Sequence, residues 1–190
     1  MRICLLSFSG REEPGNCYKS LEYIRQGLKS EAVGSTLLSV NDYKITGCSN
    51  CAYECLHSRS SHCPKEDDVG FLYRTIANHD LAIFAVPVYS GAPCSLYFAF
   101  NERSQSVFDD SALYERYAKV VKNYIVVGNE DAGGTEALNM VLAMEQNMGQ
   151  VLLLQSHLYG ENSVSGRLIE IPEARVNLKR FVEKILARTS

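Results

Sequence analysis

The sequence predicts an α/β protein built on a doubly wound, five-stranded parallel sheet with helices on both faces. Three observations carry the prediction. Short, unbroken apolar runs at residues 3–8, 81–86 and 120–127 lack period-two alternation, as strands covered on both faces do. Stretches with helical spacing lie between them, the alternation that a parallel sheet requires. The loops that follow these runs, at 9–16, 87–93 and 128–134, are rich in Gly, Ser, Asn and Pro. In a parallel sheet all three loops fall on the carboxyl edge, where open α/β sheets bind their ligands.

Taken in order, residues 3–8 read as the first strand. The loop 9–16 leads to a helix whose apolar residues Cys17, Leu21, Ile24 and Leu28 are spaced by four, three and four, with Asn16 in the N-cap position. A strand, a glycine-containing loop and a helix N-terminus aim backbone N–H groups at whatever occupies the loop. A phosphate suits that place, with Arg11 and the Ser9 hydroxyl as further donors. Residues 36–40 read as the second strand, and Asp67 and Asp68 precede a helix carrying Val69, Leu72, Tyr73 and Ile76.

The third strand, 81–86, is expected to stop at Pro87, because proline cannot donate to a sheet ladder. Pro93 is placed to open the next helix, which carries Leu96, Phe98 and Phe100 and fades out over residues 103–110. Residues 120–127 form the fourth strand, followed by a helix with Leu138, Val141, Leu142 and Met148. Residues 151–154 form the fifth strand, and a last helix buries Leu178, Phe181, Val182, Ile185 and Leu186 while Arg175, Lys179, Arg180 and Lys184 face solvent. In the flavodoxin-like order 2-1-3-4-5, the three small-residue loops converge between strands one and three.

The whole chain, 1–190, reads as one flavodoxin-like domain with a cysteine-rich insertion at about 44–65. A formal charge of −3 and the lack of a basic run speak against a nucleic-acid surface. No stretch approaches the roughly 20 apolar residues of a membrane span. Seven cysteines and no export signal point to a reducing cytoplasm and thiols rather than a disulfide frame.

Three motifs resemble those of the flavodoxin-like NAD(P)H-dependent FMN reductases, a family related to the iron–sulfur flavoproteins. They are Ser9-x-Arg11 with Gly15-Asn16-Cys17; Cys48-x2-Cys51-x3-Cys55-x7-Cys63 with Asp67-Asp68; and Pro87-Val88-Tyr89-Ser90-Gly91 ahead of a helix ending at Arg103. The resemblance implies that Ser9, Arg11, Gly15, Asn16 and Cys17 hold an FMN phosphate. It implies further that Pro87, Val88, Tyr89, Ser90 and Gly91 line the flavin ring, and that Asn129, Glu130, Gly133 and Gly134 close over its other side. An apolar slot with backbone donors and acceptors is what a flavin ring needs. The implied activity is transfer of reducing equivalents from NAD(P)H, as co-substrate, through FMN to a flavin, quinone or other small acceptor. No catalytic side chain is assigned, because the cofactor carries the chemistry. Gly10 and Cys17 depart from the family's proline and threonine, and Cys17 is expected to pack on the first strand rather than to act as a low-pKa thiol.

Four cysteines within sixteen residues, Cys48, Cys51, Cys55 and Cys63, also invite a metal. Their gaps are longer than the compact iron–sulfur flavoprotein motif. Uncoordinated thiols are therefore the expected state, with a 4Fe–4S cluster as the alternative and zinc as a third. His57 and His62 read as solvated loop residues. Two other functions stay open: an electron-transfer iron–sulfur flavoprotein, and a non-catalytic flavin-binding or thiol-sensing module. The run Tyr97-Phe98-Ala99-Phe100 is too apolar for a wet face and suggests a homodimer or higher homo-oligomer.

Overall fold

The computed structural model describes residues 1–49, 51–53, 55, 63–105, 109–129, 133–145, 147–156 and 166–188. The elements run β1 (Arg2–Ser7), α1 (Asn16–Ser30), β2 (Gly34–Ser39), α2 (Val69–Ala77), β3 (Leu81–Tyr89), β4 (Ala92–Pro93), α3 (Ser95–Glu102), α4 (Ser111–Lys119), β5 (Val121–Asn129), α5 (Gly134–Met144), β6 (Met148–Ser156) and α6 (Pro172–Ala187). One-turn 3-10 helices at Val40–Asp42 and Leu168–Glu170 complete the path. The sheet order is β2-β1-β3-β5-β6, and all four of these pairings are parallel. With the two-residue β4 set aside, this is the expected flavodoxin-like order.

Alternate residues of the central strands feed two cores. Ile3, Leu5, Ile83 and Ile125 point to one face, where Leu21, Ile24 and Leu28 of α1 and Leu178, Phe181 and Ile185 of α6 cover them. Cys4, Leu6, Phe84 and Tyr124 point to the other, beneath Leu72, Tyr73 and Ile76 of α2, Tyr97 and Phe100 of α3 and Tyr117 of α4. Both faces are covered, which is why these strands are apolar without interruption.

Several sequence expectations are corrected. Pro87 does not end β3, which continues to Tyr89 with Pro87 opposite Val127 of β5. The peptide groups of a strand point alternately to its two neighbours. Ala85 serves β1 by accepting from the Phe8 N–H, so Pro87 faces the same side beyond the point where β1 has ended. A missing N–H costs nothing there, and the Pro87 carbonyl accepts from the Cys94 N–H. Pro93 lies in β4, paired with Val88, and α3 starts at Ser95 with Cys94 as its N-cap. Gly15 rather than Asn16 is the N-cap of α1. Met148 opens β6 instead of closing α5. Helix α4 was not foreseen; Asp110 caps it by accepting from the Leu113 N–H, and Leu113 and Tyr117 are its buried pair. The aromatic run of α3 is largely spent on the sheet, with Tyr97 and Phe100 buried and Phe98 and Ala99 half-buried.

Candidate functional site

Because the long strands are parallel, the ends of β1, β3 and β5 share the carboxyl edge. The described residues of all three small-residue loops meet there. After β1 the chain turns through Ser9, which is buried, to Gly15 at the head of α1. Side chains of the loop crowd Gly15: a Cβ on it would lie 2.9 Å from Arg11 Cδ and 3.4 Å from Ser9 Oγ. No side chain caps α1, so its first N–H groups face the loop formed by Ser9 and Arg11. That arrangement is the helix-terminus anion cradle in outline.

Asn16 is tied down rather than open to the rim, since its Oδ1 accepts from the Leu168 N–H at 2.9 Å. Cys17 is buried in the aliphatic core, and burial, followed by the neighbouring Cys94, pushes its thiol far up. It packs, as expected, and is no thiolate.

Val88 and Tyr89 of β3 pair antiparallel with Pro93 and Ala92, so Ser90 and Gly91 form a two-residue hairpin turn. Their φ values are 51° and 77°, the double left-handed turn that hairpins of this length prefer. Glycine meets that demand freely, whereas Ser90 holds a conformation that L side chains seldom adopt. Tyr89 is half-exposed at the end of β3. Burial and then the Cys17 and Cys94 thiols raise its hydroxyl, while Arg11 and a hydrogen bond from Ser9 act in the opposite direction. The first and second loops therefore touch through Ser9, Arg11 and Tyr89.

The third loop closes on the second. Gly133 caps α5 at φ 79°, and a Cβ on it would lie 2.6 Å from Gly91 Cα. Any other residue at 133 would force the two backbones apart. Gly128 sits against Val88, its missing Cβ 2.8 Å from Cγ2. Asn129 ends β5 opposite Ser156, and Gly134 is buried at the start of α5. Glu130 lies outside the described residues.

Two site features escaped the sequence. Gly166, at φ 76°, leans on the phosphate-type loop, its missing Cβ 3.0 Å from the Pro14 carbonyl and 3.4 Å from Gly15 Cα. The Asn16–Leu168 hydrogen bond anchors the same junction. Neither leaves a local trace, because each joins positions about 150 residues apart.

The cysteine segment lies along the end of α3. Cys48 is exposed; its N–H donates to Glu102 Oε2 at 3.0 Å and its thiol to the Glu102 carbonyl at 3.2 Å. Next to it Arg103 is 2% exposed and forks onto Asp67, with Nη1 also donating to the Thr46 carbonyl at 2.6 Å. Arg103 Nη2 donates to Cys63 Sγ at 3.3 Å. Among the described residues no group of three His, Cys, Asp or Glu side chains is placed to hold a metal ion. His57 and His62 lie outside the described residues.

A cavity of about 730 Å³ opens at the opposite, amino edge, lined among others by Tyr73, Asn101, Tyr114, Tyr117, Lys122 and Glu145. Lys122 is buried there 3.4 Å from Glu145 and 4.1 Å above the Tyr117 ring, and the Tyr124 hydroxyl donates to Glu145 at 2.8 Å. Burial lowers the Lys122 ammonium, against the pull of Glu145. None of the residues assigned to the carboxyl rim lines this cavity.

The sequence pattern of the NADPH-dependent FMN reductases matches residues 1–160. The chain belongs to this family. As a member it is an NAD(P)H-dependent FMN oxidoreductase. No curated protein matches it. Among solved structures it is similar to an NAD(P)H:quinone oxidoreductase from Methanothermobacter marburgensis, with 14% identity over 95% of this chain and 96% of that one and a TM-score of 0.67. The Trp repressor binding protein of Bacillus subtilis shares 15% identity over 94% and 99% of the two chains, with a TM-score of 0.65. The FerB NAD(P)H:acceptor oxidoreductase of Paracoccus denitrificans shares 14% over 98% and 97%, with a TM-score of 0.53. At these identities the likeness establishes the flavodoxin-like fold. No described helix is long and apolar enough to cross a membrane.

Proposed function

We propose that the carboxyl rim holds FMN, and that the protein passes a hydride from NADH or NADPH by way of that flavin to a small acceptor such as a quinone or a free flavin. One observation carries the reading: residues 9–17, 88–91 and 133–134, far apart in sequence, meet through the Ser9–Tyr89 and Gly91–Gly133 contacts. The phosphate would rest against the first N–H groups of α1, with Arg11 and the Ser9 hydroxyl as added donors. Asn16 serves by fixing the loop through Leu168 rather than by reaching the phosphate with its side chain. Val88, Tyr89 and the Ser90–Gly91 turn would border the ring, and the Gly133–Gly134 backbone would approach its far side.

When bound, FMN supplies the two-electron chemistry, accepting a hydride and releasing reducing equivalents. The chain's own part is to position and to exclude water. The left-handed turn and the close glycine pair offer backbone at the rim, and half-exposed Tyr89 leaves a side on which nicotinamide and acceptor can alternate. Quinone and acceptor reductases among the structural neighbours support a small-molecule acceptor.

The test is spectroscopic. The purified chain should bind FMN, and anaerobic NADPH or NADH should bleach the flavin band, with colour returning on addition of a quinone. A chain that binds no FMN would sink the reading. Gly133→Val should weaken FMN binding by about tenfold, the equivalent of the roughly 1–2 kcal/mol that a side chain costs in a left-handed site.

A further inference from the structure

Of the features that this function leaves unused, the cysteine segment carries the most structure. Arg103 is buried and held from three sides by Asp67 and the Thr46 carbonyl, so its guanidinium cannot swing away. Its remaining reach ends on the Cys63 sulfur, 3.3 Å from Nη2, while that sulfur stays half-open to solvent. A fixed guanidinium beside an accessible sulfur favours negative charge there, the setting in which a thiol becomes a nucleophile. Cys55 is a neighbour of the same sulfur: burial first, then Cys63, Asp109 and Cys51 raise its thiol, which keeps Cys55 protonated. One sulfur is thus placed to attack and a second, protonated, to follow. By contrast Cys4, Cys17 and Cys94 are buried in the cores.

We propose that Cys63 and Cys55 form a peroxide-oxidised dithiol site, with Cys63 as the attacking sulfur and Arg103 as its positioning residue. In the first step the Cys63 sulfur attacks the O–O bond of a hydroperoxide, giving a sulfenic acid and releasing the alcohol, or water when the oxidant is hydrogen peroxide. In the second the Cys55 thiol attacks that sulfur, a disulfide forms, and the sulfenic oxygen leaves as water with the thiol proton. Two thiols lose two electrons in all, and the peroxide bond takes them up. The disulfide would draw Cys63 away from the guanidinium and close the segment between the two cysteines into a ring.

The experiment uses the full FMN-loaded chain, freed of reductant and treated with equimolar hydrogen peroxide. Remaining thiols are then alkylated and the digest is read by mass spectrometry. The expected product is a linked peptide pair joining Cys55 to Cys63, two hydrogens lighter than the dithiol, with Cys4, Cys17 and Cys94 unchanged. Cys63→Ser should abolish the link, and Cys55→Ser should leave a sulfenic acid on Cys63 that a dimedone-type probe traps. Both positions are only half-buried, so neither variant should harm folding. Oxidation of Cys63→Ser at the rate of the parent, or a linked pair without Cys63, would overturn the proposal. So would thiols that resist both peroxide and alkylation because iron and sulfide occupy them. None of these readouts depends on flavin reduction, so the dithiol site and the reductase reading stand or fall separately.

Discussion

On the face of the sheet covered by α1 and α6, the core is Ile3, Leu5, Leu21, Ile24, Leu28, Ile83, Ile125 and Leu178. On the opposite face Phe8, Phe84, Tyr97, Phe100 and Tyr124 meet edge to face, and Tyr73 stacks on Phe100 at 4.3 Å. The chemistry of the two faces diverges from there. Branched aliphatic chains need only volume, and the first face carries few buried polar groups. Tyrosines bring hydroxyls that must be satisfied, and the second face supplies partners: Tyr73 donates to the Phe100 carbonyl and Tyr124 to Glu145. The same face encloses two ion pairs, Arg103–Asp67 and Lys122–Glu145. Its order rests on matched polar partners, whereas the aliphatic face rests on filling.

Four substitutions sharpen that contrast. Arg103→Ala strands a buried carboxylate and should cost about 4 kcal/mol in urea unfolding. A loss below about 1 kcal/mol, the range of surface pairs, would show that Asp67 reaches water and that the polar partnership is superficial. Leu21→Ala on the aliphatic face should cost about 3 kcal/mol through the cavity it leaves. If it costs more than Arg103→Ala, the ranking of the two faces reverses. Asn16→Ala leaves the Leu168 N–H unpaired and should cost about 2 kcal/mol, most of it recovered by Asn16→Asp, which keeps the acceptor.

The smallest effect is a pH effect. Burial pushes the Tyr97 hydroxyl from its ordinary 10 up to about 12. In that interval the folded chain keeps a proton that the unfolded chain gives up. The contribution is therefore complete below pH 10 and is lost as pH rises toward 12. Tyr97→Phe should flatten this alkaline fall in the unfolding midpoint, while Leu21→Ala should lower the whole curve without changing its slope. Equal slopes for Tyr97→Phe and the parent would remove the hydroxyl from the account.

The contrast also explains what could be read in advance. The stripe of Cys17, Leu21, Ile24 and Leu28 lies within three turns of one helix, so its period announces both the helix and its buried side. The carboxyl-edge loops were legible because small residues after an apolar run have few other uses. Arg103 and Asp67 are 36 positions apart, and nothing beside either says that its charge will be matched indoors. Lys122, next to a strand start, looked like ordinary edge polarity until Glu145 was seen beneath it. Pro87 misled for a different reason: the rule that proline ends a strand concerns its missing donor, and here the place that donor would fill lies past the end of β1. Helix α4 was overlooked although Asp110, Leu113 and Tyr117 mark its cap and its inner edge.

The bond from Leu168 to Asn16 reaches across from beyond residue 160, where the family's shared pattern stops. The tail is thus a guy-rope on the front loop, and Gly166 is the groove in which it runs past Pro14. Shortening the chain at that limit would slacken the mouth of the first helix. Members of the family that end differently must brace that mouth by some other means.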